Sequence, residues 1–110
     1  MTTLQRMIAI DCNQIVDDES FHSVFAKAFG FPPFYGRNMD AWIDYMTRLD
    51  EDFSTVRVCP RQVVVIGLKI AKSLQRRLPR LWGTFIDCAA FVNFRRTERS
   101  EPVLLALSWT

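Results

Sequence analysis

The chain has 110 residues, 49% of them hydrophobic and 24% charged, the composition of one globular domain over residues 1–110 rather than of a disordered segment. No run approaches the roughly 18 consecutive apolar residues of a membrane-spanning helix, and the first six residues lack the charged-then-apolar order of a signal peptide, so a cytoplasmic location is expected. The net charge of +2 hides an asymmetry: residues 1–55 hold nine acids and four bases, residues 56–110 three acids and ten bases.

Met7-Ile8-Ala9-Ile10 is a short apolar run with a polar exit at Asp11-Cys12-Asn13, the pattern of a buried strand. Asp17-Asp18-Glu19-Ser20 then supplies a helix start, because these side chains accept orphan backbone N–H groups and complement the positive helix end. Phe21, Val24, Phe25, Ala28 and Phe29 follow at helical spacing, and Gly30 supplies a left-handed stop. In Phe31-Pro32-Pro33-Phe34-Tyr35-Gly36 two prolines fix two φ angles between aromatics, which makes a stiff loop. Asn38 is a good N-cap for a helix over about residues 39–49.

Beyond the acidic turn at Asp50-Glu51-Asp52, residues 56–68 contain Val56, Val58 and the β-branched run Val63-Val64-Val65-Ile66, a central strand. Residues 69–78 read as an amphipathic helix through Ile70, Leu74 and Leu78, which Pro79 breaks or restarts. A second helical pattern runs over residues 81–94, residues 95–102 read as a polar loop, and Val103-Leu104-Leu105-Ala106-Leu107 is a last buried strand. Strands alternating with helices in this order predict an α/β fold: a three-stranded parallel sheet packed with helices as a single pair of layers, joined by right-handed crossovers.

The second helix is the informative one. At about 100° per residue, Met39, Trp42, Met46 and Leu49 share one side, while Asp40, Asp44 and Thr47 share the other. Two like charges at i, i+4 cost an isolated helix a few tenths of a kcal/mol. Asp44 can be accounted for by an exposed pair with Arg48, and Asp40 by its place in the first turn. A rigid aromatic loop leading into such a helix also suits an interface anchor, with apolar contacts beside a charge pair aimed at a basic pocket.

The segment Phe34-Tyr35-Gly36-Arg37-Asn38-Met39-Asp40-Ala41-Trp42-Ile43-Asp44 resembles the signature of the barstar family, intracellular protein inhibitors of secreted bacterial ribonucleases. That pattern is an aromatic pair, Gly, any residue, Asn, an aliphatic residue, Asp, Ala, two apolar residues and Asp. The element order is similar to the family's as well. The resemblance implies a barstar-like fold and an immunity protein that plugs a ribonuclease active site with this loop and helix. Asp44 would then mimic substrate phosphate against the enzyme's arginines, and Asp40 would pair with another basic side chain. Phe34, Tyr35, Asn38, Ile43 and Thr47 match positions around them. A carboxylate is a workable phosphate mimic, since guanidinium groups grip it bidentately.

The other chemistry-bearing residues point away from catalysis. The single histidine, His22, lies beside an apolar helix face with no nucleophile motif in the chain, so a histidine at the core edge or on the surface is expected, and no enzyme. Cys12, Cys59 and Cys88 match no metal-ligand spacing and read as buried thiols, and neither metal nor cofactor is expected. Arg76, Arg77, Arg80, Arg95, Arg96 and Arg99 leave one alternative open, a nucleic-acid-binding module using the basic second half. Without interleaved aromatics a solvated face is the better account, and nucleic acid is not the expected partner.

Overall fold

The computed structural model describes residues 5–51, 58 and 62–109. Strand β1 (Gln5–Asp11) leads through a 3-10 turn (Cys12–Gln14) into α1 (Asp18–Phe29) and α2 (Met39–Thr47); β2 (Val63–Lys69), α3 (Ala71–Arg77), α4 (Pro79–Glu98) and β3 (Leu105–Trp109) follow. The three strands form one parallel sheet in the order β1-β2-β3. Ile66 at its centre is in register with Ile8 on one side and Leu107 on the other. A central parallel strand is covered on both faces, and Val64, Val65, Ile66 and Leu68 are accordingly all buried.

The helix ends follow their local chemistry. Asp17 accepts from Ser20 N at 2.8 Å while Ser20 Oγ accepts from Asp17 N at 3.0 Å, a reciprocal capping box at the start of α1. Gly30 (φ 72°, ψ 37°) closes the helix in the left-handed region that costs glycine nothing. Of the two roles open to Pro79 the restart is the one found: it opens α4 at its first position, where a missing N–H is no loss.

Several boundaries differ from expectation. Helix α2 ends at Thr47, and α3 begins at Ala71 after Ile70 enters the left-handed region (φ 58°). Helix α4 continues to Glu98 through residues expected in a polar loop, because Arg96 faces inward and finds partners there. Strand β3 starts at Leu105 rather than Val103, since Asn93 Oδ1 accepts from both Leu104 N and Leu105 N and fixes where pairing begins. Val56 and Cys59 lie outside the described residues; Val58 is partly buried against the core.

Candidate functional site

Helix α2 is held from behind. Trp42, Met46 and Leu49 are fully buried, and the Trp42 ring meets Phe25 at 5.5 Å, Phe85 at 5.8 Å and Phe21 at 6.1 Å between centroids. These aromatic contacts join α1, α2 and α4, so the axis of α2 is set by two other helices. At its start Asn38 Oδ1 accepts from Ala41 N at 2.8 Å, and Asn38 Nδ2 donates to Gly36 O at 3.2 Å. One side chain thereby fixes both the first turn and the incoming loop.

The opposite side carries the carboxylates. Asp40 and Asp44 are exposed, and Ile43 between them is half-buried. Arg48 Nη2 donates to Asp44 Oδ2 at 3.1 Å, Arg48 Nη1 reaches Glu51 at 3.5 Å, and the guanidinium lies 5.4 Å from the Tyr45 ring centroid. Asp40 makes no ion pair among the described residues. Its charge bears on Cys88 of α4: burial raises that thiol above its ordinary range, and Asp87 and then Asp40 raise it further. Helices α2 and α4 therefore lie side by side with acidic groups on both.

The aromatic loop splits its pair. Phe34 is 79% exposed, whereas Tyr35 is 6% exposed and packs on Phe31 at 4.7 Å. Tyr35 Oη lies 2.5 Å from Nδ1 of His22, which is also buried. Burial, and then the nearby Arg37 charge, holds His22 below its ordinary range, so the neutral ring and the Tyr35 hydroxyl share a hydrogen bond whose direction follows the ring's tautomer. Burial raises the Tyr35 hydroxyl in turn. Arg37 sits at φ 54° and is tied to α1, its Nη2 donating to Ser23 Oγ at 2.6 Å and to Glu19 O at 3.0 Å. The loop is thus clamped to α1 at Tyr35 and Arg37 while Phe34 projects.

Of the seven residues singled out by resemblance, Phe34, Asn38, Asp40, Ile43 and Asp44 lie along one stretch of surface. Tyr35 and Thr47 do not. The helical wheel puts Thr47 beside the carboxylates, but it is buried and its Oγ1 donates to Ile43 O at 2.6 Å. The α4 side chain of Arg96 reaches the end of α2 and donates from Nη1 to Thr47 O at 3.1 Å.

Arg96 is the residue sequence reasoning misplaced. Its side chain is 5% exposed and also donates to Pro102 O at 3.0 Å and Asp50 Oδ2 at 3.3 Å. Arg77 is likewise committed internally, to Ile15 O and Cys12 O at 2.9 and 3.0 Å. Two of the six arginines that suggested a basic patch are therefore internal staples. Cys12 is fully buried, and burial, with Asp11 beside it, pushes its thiol up to about 11. Among the described residues no three His, Cys, Asp or Glu side chains form a group able to hold a metal ion.

Residues 5–108 match a family model described as Barstar (barnase inhibitor). No curated protein matches the chain.

Proposed function

The chain belongs to the barstar family, and from that premise we propose that it inhibits a ribonuclease by inserting the exposed side of α2 and the projecting Phe34 into the enzyme's cationic active site. The observation that carries the reading is the two-sided build of α2. Fully buried Trp42 and Met46 lie behind, and exposed Asp40 and Asp44 stand in front. A helix locked in this way presents its carboxylates already oriented, so little conformational freedom is lost on docking.

In this reading Asp44 occupies the place of a substrate phosphate and Asp40 meets a second basic side chain. Asn38 and Ile43 line the contact, and Tyr35 and Thr47 support it from within. The Asp44–Arg48 pair is no obstacle. An exposed i, i+4 ion pair contributes about 0.3–0.5 kcal/mol. Charge-assisted bidentate bonds to an enzyme arginine in a dehydrated cleft are worth several times that. Arg48 would swing away toward Glu51, which it already touches.

The test is inhibition by wild type, Asp40→Ala and Asp44→Ala of a panel of basic secreted bacterial ribonucleases, barnase among them. Wild type should form a stoichiometric complex, and each alanine variant should lose at least a hundredfold in affinity with an unchanged unfolding midpoint. Full inhibition by both variants would remove the acidic helix from the mechanism.

A further inference from the structure

Two phenylalanines on α4 remain unexplained by the fold. Phe91 and Phe94 are 46% and 54% exposed and stack on each other with centroids 6.0 Å apart and planes 29° from parallel. Large aromatic side chains paired in water leave apolar surface hydrated that a polar residue would not. Their place in the fold gives them a neighbour. Asp40 lies close enough to Cys88 to act on its thiol, and Thr47 O is bonded to Arg96, so α2 and α4 run side by side in the same direction. By helical spacing Phe91 falls one turn beyond Asp87 and Cys88, on the flank of α4 next to α2. Phe94 continues outward from it. The exposed strip therefore carries Asp40, Asp44 and Asp87, with half-buried Arg95 on the same flank one turn past Phe91, and is aromatic at its α4 border.

We propose that Phe91 and Phe94 form the apolar border of the docking surface, so that the partner is a ribonuclease whose cationic cleft is flanked by an apolar shelf. The inference rests on the proposed function and adds the partner's second chemical requirement. Carboxylates in front select a basic cleft, and the aromatic pair selects among basic clefts by what lies beside them. Aromatic anchors at the edge of a charged contact exclude water from the ion pairs and strengthen them. Self-association of this chain through the same aromatic pair is the competing occupant, which the experiment below separates.

The experiment compares Phe91→Ser/Phe94→Ser and the single variant Phe94→Ser with wild type and Asp44→Ala. Affinity is measured by calorimetry against the same ribonuclease panel, with sedimentation for the free proteins and urea midpoints as the folding control. The expected result is a monomeric wild type that binds a panel member, a loss of tenfold or more in the double variant, a smaller loss in Phe94→Ser and an unchanged midpoint. If Asp44→Ala loses binding while both serine forms bind like wild type, the border falls and the acidic helix stands. A wild-type dimer that the serine forms dissolve overturns the proposal in favour of self-association. Failure of wild type to bind any panel member overturns this inference together with the function it rests on.

Discussion

Replacing Arg96 by methionine should destabilise the protein by about 3 kcal/mol, far more than a surface arginine warrants. The side chain donates to Pro102 O at 3.0 Å, Thr47 O at 3.1 Å and Asp50 Oδ2 at 3.3 Å. Methionine keeps most of the stem's volume but donates nothing, so the buried Thr47 O and the part-buried Pro102 O both lose their partner. An unsatisfied buried acceptor costs about 1–3 kcal/mol, so Thr47 O carries most of the loss and Pro102 O, within reach of water, the smaller share. Thr47 O is one of the orphan carbonyls at the end of α2, where a positive charge is also favoured by the helix dipole. Against this stands the relief of no longer burying a guanidinium, which brings the sum to about 3 kcal/mol. The Asp50 bond counts for little, because that carboxylate side chain is 37% exposed and solvent screens it. For a domain of this size the loss corresponds to a fall in Tm of about 12 °C. Urea titration followed by far-UV circular dichroism measures the free energy directly, with Asp50→Asn as the comparison, expected to lose under about 1 kcal/mol. The reasoning is refuted if Arg96→Met loses less than about 1 kcal/mol, or if Asp50→Asn loses as much as Arg96→Met.

Three further outcomes follow from single groups. His22 is held below its ordinary value of 6.5 in the folded protein, so between the two values the unfolded chain binds more protons and stability rises with pH. The contribution is complete above about pH 6.5 and is lost as pH falls through the folded value; His22→Gln should flatten the stability-against-pH curve below pH 6.5, where one proton gives at most about 1.4 kcal/mol per pH unit. Ile70 is a β-branched residue at φ 58° and is 48% exposed, so Ile70→Asn should raise stability by roughly 0.5–1 kcal/mol, seen as a Tm higher by a few degrees. Asp44→Ala should leave stability within about 0.5 kcal/mol of wild type in the same urea titration, since only an exposed ion pair is removed.

Much of this protein is written in local chemistry. Asp17 and Ser20 start α1, Gly30 ends it, Asn38 starts α2 and Pro79 opens α4, each through its own bonding or backbone preference. The parallel sheet is legible in its apolar runs, and the Trp42/Met46 side of α2 in its spacing, because burial of a regular element has a period. The motif over residues 34–44 carries the family. What tertiary structure alone decides is the fate of groups whose partners are distant in the chain. Arg96 and Thr47 are 49 residues apart, as are no local signals, and their bond turns a supposed surface arginine into a core residue and carries α4 past the expected loop. Thr47, which a helical wheel leaves in solvent, is buried at the same junction. Tyr35 and Phe34 are adjacent and alike, yet one turns in to His22 and the other out, because only one position lies over α1. The sequence by itself determines which elements form and which side of each is apolar; where two elements meet decides which polar groups are left for a partner, since a donor's bond depends on what lies across the interface and not on its neighbours in the chain.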